Sequence, residues 1–319
     1  MANQEKTGII LLNLGGPDTL EDVEPFLFNL FADREIIRLG PFFLQKFIAR
    51  RIAKKRAPKS KESYAAIGGG SPLKEITRQQ GEALARRLAD QGNFVVDMAM
   101  RYWYPTARET LQKMADQGIT RIVALPLYPH YSKATSGSSL RDLKRAASAL
   151  EADFEIIEIT SWPDDPFYIK SLASTITEGL SFFPSPEVEV VYSAHSLPVK
   201  FIDEGDPYLE ELKKTIKAVE NITGVTGRLC FQSRSGPVEW LRPSTPEMLA
   251  DLAEQGCKQV LMVPISFVSD HVETLYEIDV QYKETAAELG IDLKRSESLN
   301  LRPDFIDSLA SLVLEAVQK

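Results

Sequence analysis

The chain carries three histidines. Each follows an apolar run that reads as a strand: VALPLYPH ending at His130, VVYSAH at His195 and PISFVSDH at His271. In parallel α/β folds the carboxyl ends of the strands line the ligand crevice, so all three can face one cleft. Taken singly, each is equally a satisfied loop histidine. His195 lies in Tyr192-Ser193-Ala194-His195-Ser196-Leu197-Pro198, where small neighbours leave its ring accessible. An imidazole accepts a proton near neutral pH or binds a borderline metal. Ser196 is its neighbour in sequence, but adjacency is no nucleophile–base geometry, and no G-x-S-x-G elbow is present. The second candidate is the stretch SDHVETLYEID, residues 269–279. If a helix starts there, Asp270 and Thr274 share a face, as do Glu273 and Glu277. Histidine with carboxylates suits divalent metal binding or proton transfer. The same acids also read as a helix N-terminus matched to its dipole. The spacing is not HExxH, so a zinc protease is not supported.

Aromatic side chains gather near these segments: Tyr102, Trp103, Tyr104, Tyr128, Tyr131, Trp240 and Phe267. A flat apolar ligand would want such walls. Arg101, after a strand, and Arg234, in the loop Gln232-Ser233-Arg234-Ser235-Gly236-Pro237, offer planar forks for carboxylates. Ile67-Gly68-Gly69-Gly70-Ser71-Pro72-Leu73 makes a tight loop that backbone can bring close to a ligand. It lacks the lysine of a Walker loop and the spacing of a dinucleotide fingerprint. Residues 39–61 combine Phe42, Phe43, Leu44 and Phe47 with Lys46, Arg50, Arg51, Lys54, Lys55, Arg56, Lys59 and Lys61. A helix here is amphipathic and cationic, either packed on its own body with snorkelling lysines or turned towards an anionic surface or ligand.

These candidates need elements to position them. Strands are expected at 8–14, 94–100, 121–126, 155–159, 187–193, 227–231 and 259–264. Helices are expected at 19–31 (capped by Thr19 with Asp22), 75–90, 106–117, 140–150, 167–180, 206–220, 245–255, 272–289 and 304–317. Alternation of this kind favours parallel sheets flanked by helices. LQKMADQGITRIVALP at 111–126 and LADLAEQGCKQVLMVP at 249–264 are related at an offset of 138. That repeat and the length of 319 residues argue for two similar α/β halves. The net charge of −8 argues against nucleic acid as a partner. Cys230 and Cys257 cannot supply a four-thiolate site, so no cysteine-ligated cluster is expected. No signal peptide and no run of 18 apolar residues is present. A cytoplasmic monomer is expected, at most peripheral at a membrane.

The motifs LLNLGGPDTLEDVEPFL, RRIAKKRAPKSKESYAAIGGGSPL, MRYWYPT, YPHYSKATSGSS, YSAHSLP, GDPY, FQSRSGPVEWLRP, PISFVSDHVETLYEID and SLN run over nearly the whole chain. Together they closely resemble the ferrochelatase family, of the bacterial protoporphyrin type. The resemblance implies an enzyme, a metal-inserting lyase of haem biosynthesis, that places Fe²⁺ in a porphyrin and releases two protons. It implies two Rossmann-like domains, 1–165 and 166–319, with the macrocycle bound and distorted between them. The last helix would pack back on the first domain. By the same resemblance His195 and Glu273 are the catalytic and metal-binding pair, with His195 the proton acceptor. Asp270, His271 and Glu277 stand behind them. Arg101, Tyr102, Tyr128, Trp240, Leu14 and Ser71 bind the substrate, and residues 39–61 form a lip over it. In membrane-associated relatives that lip touches the bilayer. Leu14 stands where some relatives have Tyr or Met, so it supplies no axial-type ligand. Neither a prosthetic group nor a [2Fe–2S] cluster is expected. Protoporphyrin IX is the expected substrate, because an apolar lip suits its vinyl groups. Coproporphyrin III, with four propionates, is the alternative; a cobalt chelatase or a non-catalytic tetrapyrrole or metal carrier is a more distant one. An upstream porphyrin-making enzyme is a further candidate partner.

Overall fold

The computed structural model describes residues 6–37, 39–234, 236 and 238–318. Two compact units divide the chain: Met1–Ser161 with Ile306–Lys319, and Trp162–Phe305. In the first, β1 (Thr7–Asn13), α1 (Val23–Ala32), α2 (Gln45–Ala66), α3 (Leu73–Leu88), β2 (Phe94–Met100), α4 (Ala107–Asp116), β3 (Arg121–Pro126), α5 (Ser136–Ser148) and β4 (Glu155–Glu158) follow in order. The second holds α6 (Pro166–Leu180), β5 (Glu189–His195), α7 (Val199–Asp203), α8 (Tyr208–Thr223), β6 (Gly227–Gln232), α9 (Thr245–Glu254) and β7 (Gln259–Pro264). A π-helical segment Glu273–Tyr282, α10 (Lys283–Glu288) and β8 (Asp292–Arg295) complete it, and α11 (Pro303–Gln318) leads back into the first unit.

Each unit has a four-stranded, all-parallel sheet, in the orders β2-β1-β3-β4 and β6-β5-β7-β8. The central strands β1 and β5 are buried on both faces because helices cover both. Ile10, Leu12, Leu111, Met114 and Ile122 build one core, and Val191, Leu249, Val260, Met262 and Ile278 the corresponding one. The repeat at offset 138 is structural. α4 and α9 each start from a reciprocal capping box, at Thr106 with Glu109 and at Ser244 with Glu247. Each helix then turns through a glycine with positive φ, Gly118 or Gly256, into the third strand of the sheet order.

Several expectations shift. The first helix starts at Val23 rather than residue 19, because the Asp22 carboxylate accepts from the Thr19 N–H and hydroxyl and closes a turn instead of a cap. α5 starts at Ser136, inside the expected loop, and β5 runs through His195 rather than stopping before it. α7 and β8 had no expected counterpart, and both are short. Residues 39–61 also differ. A 3₁₀ turn Phe42–Leu44 precedes α2, whose buried face is Gln45, Ala49, Ala53 and Ala57, not the phenylalanines. Alanines let α2 approach α1 closely, and the large aromatics are left outside: Phe42 is 82 % exposed, Phe43 79 % and Phe47 60 %.

Candidate active site

In the second unit the chemistry collects at the carboxyl edge of the sheet. His195 is the last residue of β5. Its N–H donates to Ser266 Oγ (2.9 Å) and its carbonyl accepts from the Tyr208 hydroxyl (2.9 Å), so its backbone is fixed on both sides. Its Nδ1 lies 2.8 Å from Glu273 Oε2, at the first residue of the π-helical segment. The side chain of His195 keeps 38 % of its surface, that of Glu273 only 16 %. With Nδ1 committed, Nε2 is the ring nitrogen left for a substrate.

Behind the pair stands a polar network. Gln232, 1 % exposed at the end of β6, accepts from the Ser193 hydroxyl (2.6 Å). Its amide donates to the Glu273 carbonyl (3.0 Å) and to Glu277 Oε2 (3.2 Å). Ser233 has φ of 65°, a left-handed conformation uncommon outside glycine. That conformation places its hydroxyl 2.8 Å from Glu273 Oε2 and 2.6 Å from Glu277 Oε2. One hydroxyl hydrogen serves only one of two acceptors, so a carboxyl proton completes the bridge. Of the two carboxyls Glu277 is the one that binds a proton more readily: burial, and then the charge of Glu273, push it up to about 7. For Glu273, burial is outweighed by the His195 ring, and the carboxyl falls to about 2. Burial disfavours the charge on His195, yet the facing Glu273 raises its basicity overall.

Asp270 and His271 are built in more deeply. Asp270 accepts from Thr274 Oγ1 (3.0 Å), Ser298 Oγ (2.7 Å) and Asn300 Nδ2 (2.8 Å), and pairs with Arg295 (3.1 Å). Burial works against its charge, but Arg295 and these donors hold it below the usual carboxylate range. His271 packs on Phe267 at 4.3 Å, and Phe267 also meets the His195 ring edge-on at 6.4 Å. Burial pushes His271 down, with Nδ1 3.0 Å from the Ser269 carbonyl. The structure therefore joins His195 and Glu273 directly and Glu277 to them through Ser233 and Gln232, with Asp270 and His271 bracing the start of the same segment. Trp240 forms a bridge to Pro198, and its buried indole nitrogen has no hydrogen-bond partner among the described residues. Ser235 and Pro237 of the neighbouring loop lie outside the described residues. Among the described residues no group of three or more His, Cys, Asp or Glu side chains could hold a metal ion.

In the first unit, Leu14, Arg101, Tyr102 and Tyr128 sit at the carboxyl ends of β1, β2 and β3. The Tyr102 N–H donates to the Leu14 carbonyl (3.0 Å). The Ser71 N–H donates to the Pro17 carbonyl (2.8 Å), and the loops meet so closely that a Cβ on Gly16 would lie 2.5 Å from Ser71 Cβ. Arg101 reaches a carboxylate of its own unit. It donates to Asp33 Oδ2 (2.6 Å) and Ser138 Oγ (2.8 Å) and lies 3.5 Å from Asp142. The Tyr102 hydroxyl donates to the same Asp33 oxygen (2.7 Å). Burial raises the Tyr102 and Tyr128 phenols well above their ordinary value. His130 is 2 % exposed in this unit, and burial pushes it down to about 3, so it is built into the core. Asp33, Ser138, Ser233 and Gln232 carry as much of this geometry as the residues picked out from sequence. The φ of Ser233 and the folding of the 33–45 segment leave no mark in a one-dimensional pattern.

The profile of the Ferrochelatase family matches residues 6–317. The chain belongs to the ferrochelatase family. A ferrochelatase of Desulfotalea psychrophila is 57 % identical to it over 97 % of both chains, and one of Geotalea uraniireducens 56 % over 98 % of both. Like them, this chain is a ferrochelatase-type enzyme, a lyase of haem biosynthesis that inserts metal into a porphyrin. The fold is similar to that of the sirohydrochlorin chelatase SirB from Bacillus subtilis subspecies spizizenii in complex with cobalt. That match has a TM-score of 0.55 at 14 % identity, over 98 % of this chain and 96 % of the other. No helix among the described residues of this family member is long and apolar enough to cross a membrane.

Proposed function

We propose that the chain inserts Fe²⁺ into protoporphyrin IX, with His195 as proton acceptor and Glu273 as the iron-facing carboxylate. The 2.8 Å contact between His195 Nδ1 and Glu273 carries this reading. It turns Nε2 into a base whose protonated form is stabilised by a fixed anion. Each of two pyrrole N–H groups must lose its proton as iron enters. His195 takes the two protons in turn at Nε2, releasing the first to solvent at its partly exposed ring before the second arrives, and the imidazolium that forms each time is held by Glu273. Glu273 stays ionised, as a hard oxygen ligand for incoming Fe²⁺ requires. A single protein donor, the Glu273 carboxylate, leaves the rest of the iron's coordination open to the macrocycle nitrogens. Glu277, poised near neutrality, exchanges protons across Ser233 with the same network. A planar macrocycle resists entry of the metal, and binding energy at its rim offsets the bending. Leu14, Ser71, Arg101, Tyr102, Tyr128 and Trp240 are assigned to that rim, and Asp270 and His271 to support of Glu273.

The substrate choice is supported by the exposed turn at Phe42 and Phe43 with Phe47, an apolar surface that suits vinyl groups better than two further propionates. The basic side chains of α2 that follow suit an anionic membrane face, which supports a cytoplasmic protein with peripheral membrane contact; the proposal takes it as a monomer without prosthetic group. The test is anaerobic Fe²⁺ insertion into protoporphyrin IX and coproporphyrin III, followed by absorbance, with His195→Ala as control. Turnover of protoporphyrin that disappears in the variant is the expected result. A preference for coproporphyrin moves the enzyme to another route, and full activity of His195→Ala removes the histidine from its role.

A further inference from the structure

We infer that Gln45 is a positioning residue whose buried carboxamide locks the exposed aromatic turn Phe42–Phe43–Leu44 in the orientation that meets the macrocycle; the inference rests on the porphyrin-contact reading of that turn. The turn has no buried residue of its own. A segment with so little apolar burial would ordinarily be loose. Gln45, the first residue of α2, is instead 2 % exposed, and its carboxamide makes four hydrogen bonds. Nε2 donates to the carbonyls of Phe31 (2.9 Å) and Ile37 (2.8 Å). Oε1 accepts from the Leu39 N–H (3.1 Å) and from Arg34 Nη1 (3.3 Å). Arg34 Nη1 also donates to the Gly40 carbonyl (2.7 Å), and its guanidinium lies 5.9 Å from the centre of the Phe42 ring.

One side chain thus ties the end of α1, the segment after it and the start of α2 to a single point directly beside the turn. Buried polar groups are costly unless fully paired, so this arrangement is all-or-none: removing the carboxamide releases every tether together. An aromatic surface held ready binds a flat ligand without first having to be ordered. Loss of the lock therefore weakens porphyrin capture and leaves the chemistry at His195 untouched. Asp33 holds the other end of the segment through Arg101, so loosening is confined to the stretch around residues 34–46.

The test uses Gln45→Leu, which keeps the volume and deletes all four bonds, and Arg34→Met, which deletes only the two made by the guanidinium. Expected for Gln45→Leu are a roughly tenfold rise in the porphyrin KM, a kcat within about twofold of the parent and an unchanged Fe²⁺ KM. Tryptic cleavage after Arg38 and Lys46, sites kept in both variants, rises in parallel, and Arg34→Met shows a smaller effect of the same sign. Unchanged porphyrin KM and unchanged cleavage in Gln45→Leu overturn the inference. If that variant does not fold, the same result in Arg34→Met overturns it. Phe42→Ala/Phe43→Ala separates the underlying reading: an unchanged porphyrin KM there shows that the turn does not touch the substrate, while the cleavage pattern still judges whether Gln45 holds the turn.

Discussion

Replacing Glu273 by glutamine tests the pairing at the centre of the site. The substitution keeps the volume and removes the charge. In the native protein the carboxylate meets His195 Nδ1 at 2.8 Å and Ser233 Oγ at 2.8 Å. A hydrogen bond to a charged partner is worth about 1.5–3 kcal/mol, against roughly 0.5–1.5 kcal/mol for a neutral one. The two contacts together lose on the order of 2–3 kcal/mol, and solvent reaching the half-exposed His195 reduces its share, leaving about 2 kcal/mol. At 1.36 kcal/mol per decade that is roughly thirtyfold in kcat/KM. The pH dependence has a definite sign. Burial disfavours protonated His195 and Glu273 restores it, so without the charge His195 titrates at lower pH. Activity that needs neutral His195 then shows a lower plateau, with its acid limb displaced to lower pH. Anaerobic stopped-flow absorbance gives the profile, and ¹⁵N spectra of the three histidines follow the titration directly. In the parent, His130 and His271 are pushed the other way by burial, and the signal missing from His195→Ala identifies His195 in both proteins. An unmoved acid limb and an unmoved His195 titration in Glu273→Gln would refute the argument.

Two further outcomes follow from the same geometry. Glu277 has its folded-state value raised to about 7, so its contribution to stability is complete below the unfolded carboxyl range and is lost as pH rises through about 7. Thermal melts should therefore show the parent losing stability relative to Glu277→Gln between pH 5 and pH 8, and parallel curves would count against a proton on Glu277. Asp33→Ala should cost about 3–5 kcal/mol, because it removes the nearest carboxylate from an Arg101 side chain only 12 % exposed and the acceptor of two hydroxyls. Urea denaturation measures this, and a loss under about 1 kcal/mol would show that Asp142 substitutes for it.

Much of the architecture is readable because each element announces itself locally. The strands at 94–100, 121–126 and 259–264 are apolar runs bounded by turn residues, and they have the expected limits. The repeat at 111 and 249 marks equivalent places in two sheets. His195 was legible as a candidate because residue type and strand-end position coincide, and Glu273 and Glu277 because their spacing puts two carboxylates on one helix face. What joins them was not: Ser233 and Gln232 act through a backbone angle and a buried amide, and neither follows a periodicity. The Phe-rich segment misleads for a related reason. Apolar side chains usually point inward, yet here alanines fill the contact with α1, and the phenylalanines are left for another surface. The exit from the expected α-helix into π-helical geometry at Glu273 has no sequence signal that we can name.

The way α11 returns has a consequence for synthesis. The first unit is not contiguous: Ile306–Lys319 belongs to it, while Trp162–Phe305 forms the other. Phe305 packs against Trp162 with ring centres 6.2 Å apart, so the inserted unit begins and ends at one place. Asp307 and the Val317 carbonyl then bind Arg87 and Arg121 of α3 and β3. On a ribosome the inserted unit can close as soon as its own ends have emerged. The unit that appears first must wait for its final helix, for roughly 10–30 s at ordinary elongation rates. The part of the protein made earliest is thus the last to be finished, and it is the half for which a chaperone would have most use.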